Sequence, residues 1–104
     1  MNMFGKSDKA PDLEFFTVFD TKAQIYSEPF PFMNREVALR EFTLAFKDPA
    51  AGTKNRYYIN SEDFKLFKIA NFDFKQGVMT PVPMEHVVNF HDLRSMVDTE
   101  PKGH

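Results

Sequence analysis

The chain's 104 residues and 12.1 kDa suffice for one domain with a single core. With no cysteine, disulfides, thiolate nucleophiles and Cys-ligated zinc are excluded, and a reducing cytoplasm is the natural setting. A formal net charge of −2 argues against a uniformly cationic DNA-coating protein, while thirteen Phe and three Tyr are more rings than one small core needs.

Some of those rings are therefore expected at an interface, between subunits or with a ligand. Residues 1–11 mix Gly, Ser, Lys, Asp and Pro and read as a loose arm. They contain no apolar run of signal-peptide length, and nothing in the chain approaches a membrane span, so an intracellular protein with no membrane contact is expected. "LEFFTVFD" reads as a strand, with Phe15, Thr17 and Phe19 on one face and Phe16 and Val18 on the other. "DTKA" turns the chain into a second short strand, "QIYSE", and "PFPF" reads as an extended linker because proline lacks the ladder donor.

Asn34 is placed to cap a helix over "REVALREFTLAF", with Glu36 in its first turn. Ala38, Phe42, Ala45 and Phe46, with Leu39 beside them, give that helix one apolar stripe, and "KDP" ends it. Residues 47–60 read as a long irregular segment, followed by a helical turn at "NSEDF". "KLFKIANFDF" reads as a third strand, "KQG" as a hairpin turn, and "VMTPV" as a short fourth strand held at an edge by Pro81. An apolar piece at Val87–Phe90 is a further strand or helical turn. The expected fold is thus α+β: a small antiparallel sheet in the order β-β-α-β-β, packed on one main helix, with a short C-terminal element. Its boundaries are an arm at 1–11, a domain at 12–95 and a polar tail at 96–104.

Charge is unevenly spread. Residues 34–68 hold seven Lys or Arg against five acids, whereas each flank holds three against five. An anionic partner is therefore sought in the centre. Within it, Lys47, Lys54, Arg56, Tyr57 and Tyr58 combine cations with rings, the two ingredients by which single strands are held. If extended, the two tyrosines point to opposite sides, one for a base and one for the core. Arg35 and Arg40 on the helix are further candidates. The plain alternative is a solvated loop sealed by a tyrosine pair.

No enzymatic chemistry is indicated. Four scattered glycines make no phosphate loop. His86 and His91, five apart, share neither a helix line nor a strand face, so no metal site and no cofactor is expected. Glu62 and Asp63 are accounted for as first-turn acids.

"FFTVFDTKAQIYSEPFPFMNREVALREFTLAFKDP" and "NSEDFKLFKIANFDFKQGVMTPVP" together resemble the small non-structural protein of gokushovirus-type microviruses, which are single-stranded DNA phages. The match rests on the "VFDTKAQIYSEPF" hairpin, the "NREVALREF" helix and the "EDF" to "KQG" strand, covering residues 15 to about 92. The resemblance implies a non-enzymatic protein of the host bacterial cytoplasm that binds single-stranded DNA in viral genome synthesis or packaging. The surplus of rings over what one small core needs leads to the expectation of a homo-oligomer, a dimer being favoured. The alternative is a module that links phage replication or capsid proteins without touching DNA. "AAGTKNRYYIN" extends a segment that is shorter in the family, which brings Arg35, Arg40 and the sheet aromatics forward as shared candidates.

Overall fold

A computed structural model describes residues 10–100, so most of the expected arm and the last four residues of the expected tail lie outside the described residues. β1 (Leu13–Asp20) is the sheet's inner strand on one side and β4 (Phe64–Asp73) on the other; β2 (Ile25–Tyr26) and β5 (Val78–Asn89) flank them in the antiparallel order β2-β1-β4-β5. A fifth strand, β3 (Phe30–Phe32), also pairs with β1, beyond the end of β2. The helices are α1 (Arg35–Lys47), α2 (Ala51–Lys54), α3 (Arg56–Ile59) and α4 (Phe90–Thr99), with a 3-10 turn at Ser61–Asp63. The α+β fold with one main helix and a short C-terminal helix is as the sequence suggests.

Strand alternation sorts side chains onto two faces. Phe16 and Val18 of β1 and Phe64 and Leu66 of β4 point to the helices. There they meet Ala38 and Phe46 of α1 and Phe90, Leu93 and Val97 of α4, all buried. Phe90 is fully buried and bridges the layers, with Phe42, Phe46 and Tyr57 within 4.9–5.8 Å of its ring. Phe42 packs against this core from α1 and Leu39 is half-buried, but Ala45, assigned to the same stripe, is exposed.

The two hairpin turns repeat one device. Asp20 Oδ1 accepts the amides of Lys22 and Ala23, and Asp73 Oδ1 those of Lys75 and Gln76. Each turn closes four residues on with a left-handed residue, Gln24 at φ 61° or Gly77 at φ 66°. Asn34 caps α1 as expected, its Oδ1 accepting the Val37 amide at 2.9 Å.

Four readings of the sequence change. "PFPF" is no linker: Phe30–Phe32 is an edge strand with Pro31 opposite Phe15, and at an edge the missing donor of Pro31 need not break a ladder. The chain reaches it by a kink at Ser27, whose amide donates to the Val18 carbonyl while its Oγ accepts the Val18 amide at 3.0 Å. Residues 47–60 are not irregular, because Asp48 and Asn55 accept the amides that open α2 and α3. β5 is twelve residues long and passes through both Pro81 and Pro83, again tolerated because it is an edge, with register shifts opposite Leu66/Phe67 and Lys68/Ala70. The expected tail begins inside α4, where Val97 is buried in the core.

The Ser27 kink is a single-atom repair of the β1 ladder. Ser27→Ala leaves the Val18 amide without its acceptor in a nearly buried setting and should lower unfolding free energy by about 1–3 kcal/mol. Urea denaturation checks this; an unchanged midpoint would show that the kink needs no side-chain oxygen.

Candidate nucleic-acid interface

The seven residues singled out in the sequence do not form one surface. Arg35 is ion-paired with Glu85, Lys47 with Glu100 at 2.9 Å, and Arg56 with Asp20 at 3.6 Å. Arg40 and Lys54 are exposed on two different helices, α1 and α2. The tyrosines are built into the protein. As α3 is helical, neighbouring side chains diverge by about 100° rather than 180°, and both rings turn inward. Tyr57 stacks on Phe90 at 5.3 Å and meets Phe64 edge-on at 4.9 Å.

Tyr58 packs edge-on against Phe46 at 5.4 Å and donates its hydroxyl proton to Asp98 at 2.7 Å. The Arg94 guanidinium lies 4.3 Å over its ring and donates to its carbonyl at 2.9 Å. An open cleft of about 520 Å³ beside Tyr58 is lined by Lys47 but also by Asp48, Asp98 and Glu100. Three carboxylates against one paired lysine make it a poor seat for a polyanion.

A different surface has the right chemistry. On the sheet face away from the helices, Phe19 of β1 lies beside Tyr26 of β2, ring centres 4.5 Å apart. Tyr26 reaches across β1 to Phe67 of β4 at 6.4 Å, and its hydroxyl comes within 3.6 Å of Met84 Sδ on β5. Phe67 in turn meets His86 of β5 edge-on at 5.5 Å. The row Phe19–Tyr26–Phe67–His86 therefore crosses all four strands of the sheet path.

Register sets the charge of this face. Directly paired residues share a face. Phe19 is opposite Lys65, Thr17 opposite Phe67, and Phe67 opposite His86, so Lys65 joins the ring row. The strand carboxylates fall on the helix side instead: Glu14 bonds Lys68 there at 3.3 Å, Glu85 is paired with Arg35, and Asp20 is opposite buried Phe64. Lys22, in the turn before Tyr26, has a side chain 78% exposed and a 4.0 Å contact to Asp63. Arg56 lies on the helix side instead, 5.0 Å over the Phe64 ring and beside Asp20 in a small cavity at the β2 edge.

The face thus offers rings and cations without a carboxylate in the row. β1 alternation reveals Phe15, Thr17 and Phe19 as one face, but Tyr26, Lys65, Phe67 and His86 join it only once strand pairing is known. His86 Nε2 lies 2.8 Å from Asn89 Oδ1, and His91 Nδ1 3.4 Å from Ser61 Oγ on the helix side. Among the described residues no helix is long and apolar enough to cross a membrane.

A family model described as Phage ORF5 protein matches residues 13–93. No curated protein and no solved structure matches the chain.

The Tyr58 clamp has a pH signature. Its hydrogen bond to Asp98, then burial and the Asp98 charge, hold the phenol above the ordinary value of 10.0, outweighing Arg94. The fold therefore keeps this proton to higher pH than the unfolded chain. The stabilisation is complete below the ordinary tyrosine range and is lost as pH rises through the raised value. Unfolding measured across alkaline pH should show this fall, and Tyr58→Phe should remove that component; the same slope in the variant would contradict the clamp.

Proposed function

We propose that this chain, which belongs to the Phage ORF5 protein family, binds single-stranded DNA on the open face of its sheet. The observation that carries the reading is the ring row Phe19–Tyr26–Phe67–His86, which crosses the sheet with Lys65 beside it and no carboxylate in the row. Sheets covered by helices on one side and studded with rings on the other suit unstacked bases, because each exposed ring face replaces a neighbouring base. Stacking is indifferent to base identity, so little sequence preference is expected.

Phosphates fall to Lys65 within the row and to Lys22 at its β2 end. Net charge is no obstacle, since the acids of the strands are turned to the helices and the field of the open face is local. Duplex DNA is disfavoured because its bases present no free faces to the rings. The protein acts by holding the strand rather than by chemistry on it. The resemblance to the small non-structural protein of gokushovirus-type microviruses supports a role in synthesis or packaging of a single-stranded genome in the host bacterial cytoplasm.

A module for phage replication or capsid proteins is the second reading, favoured by one observation: Met84, at the end of the row, is 50% exposed. Oligonucleotide titration separates the two. Tyr26→Ala and Phe67→Ala should each weaken single-strand binding by about 1–3 kcal/mol. Lys65→Ala and Lys22→Ala should each reduce the salt slope by about 1 while sparing base preference. Folded wild-type protein that binds no single strand at low salt would exclude the DNA reading and leave the protein module.

A further inference from the structure

Beyond the row lies a second group of rings. Phe15 of β1 meets Phe72 of β4 edge-on at 6.3 Å, and Phe72 meets Phe74 at 6.1 Å. Leu13 is opposite Phe72, and Phe72 is opposite Met79, so these residues share one face of the far end of the sheet. That face continues the one bearing Phe19 and Phe67, because Phe15 and Phe19 are an even number of residues apart on β1. On its other side the same end is polar: Asn71 lies opposite Glu14 and Thr80, and Asp73 opposite Val78. The pattern is the reverse of the proximal sheet, whose helix side is apolar. These rings were therefore not placed to meet the protein's own helices.

The register shift between Phe15/Phe16 and Ala70/Lys68 sits at this boundary. A bulge there re-aims β4 relative to β1. Phe74 is 63% exposed and Met79 47%.

Area and charge decide what covers them. About five residues along each of three strands make a patch of roughly 16 by 14 Å, far below the ~800 Å² per partner of a stable protein interface. The whole open face would be large enough, but a second copy laid on it would bury Lys65 with no acid in the ring row to pair with it, which is strongly unfavourable. Both edges resist strand addition, through Pro81 and Pro83 on β5 and the Ser27 kink and Pro31 on the other side. A nucleobase, by contrast, needs only one free ring face. The acids nearby bond the backbone of the turn: Asp12 Oδ2, from just before β1, accepts the Phe74 amide and Asp73 Oδ1 those of Lys75 and Gln76. Lys75 is exposed at the tip.

We infer that Phe15, Phe72 and Phe74 form a second stacking subsite for the same DNA strand, with Lys75 as its phosphate contact. This rests on the single-strand reading above and specifies its register: the strand runs along β4, from the ring row to the hairpin tip. Eight strand steps separate the level of Phe19 from that of Phe74, about 26 Å. Rings continue along the way, since Thr17 is opposite Phe67 and Ala70 is opposite Phe15. The ligand is therefore an extended strand long enough to reach both groups, toward the low end of the ~4–16 nucleotides that a small single-strand-binding domain covers.

A thymidine length series titrated against full-length protein tests this. Affinity should climb steeply once the oligonucleotide can reach Phe74, and Phe74→Ala should cost about tenfold on the octanucleotide with no effect on the tetranucleotide. Tyr26→Ala should weaken both. Because Phe74 is largely exposed, its loss leaves the core intact, which the unfolding midpoint confirms. Tetranucleotide binding with no length step, or an equal effect of Phe74→Ala on both lengths, would overturn the second subsite while leaving the first. Absence of binding at every length would overturn both.

Discussion

Among the described residues the helices cover one side of the sheet only, and this one-sided coverage governs what each strand residue can do. α1 and α4 close on Phe16, Val18, Phe64 and Leu66, with Tyr57 and Tyr58 of α3 packed in at their edge. Among the described residues no helix packs on the opposite face. A surface of that kind is normally made polar. Here it carries Phe19, Tyr26, Phe67 and His86 in ring contact, and an exposed apolar patch in a small domain marks a place of interaction.

The same constraint sorts the charges. Acids of the strands lie on the helix side, where Glu14 meets Lys68 and Glu85 meets Arg35. The Arg35–Glu85 pair is partly exposed and contributes little to stability, whereas Glu14 and Lys68 are largely shielded from solvent. The effect of both pairs is to remove carboxylates from the ring row and leave Lys65 there. A protein with net charge −2 can thereby present a locally cationic, aromatic surface, which the overall balance conceals. The excess of phenylalanine has the same origin, since two sets of rings are needed, one under the helices and one on the open face.

The fold was largely legible because its signals are local. Asn34 as a cap, most of the α1 stripe, the alternation of β1 and the turn at Gly77 each follow from neighbouring residues, whereas the bulge in β4 turns Ala70 and Phe72 to the face opposite Leu66. The proposed site was not, because it is assembled by register. "RYYI" brings rings and a cation together in sequence, yet one helical turn capped by Asn55 directs Tyr57 and Tyr58 into the core. Tyr26, Phe67 and His86 are far apart in sequence and become one row only through pairing and the bulges of β5. Pro81 correctly marks an edge strand, but Pro31 reads in sequence as excluding a strand altogether and Pro83 as ending one, whereas an edge tolerates both. Val97 was read as part of a tail because a single buried turn leaves little periodicity to detect.

The central claim is that DNA lies on the open sheet face and not on the helical side. Ultraviolet cross-linking of a bromodeoxyuridine-substituted single strand, with the adducts mapped by mass spectrometry, tests it directly, since only groups touching a base form the bond. The structure predicts adducts on Tyr26, Phe67 or His86. Adducts confined to α1 and α2, around Arg40 and Lys54, would contradict it.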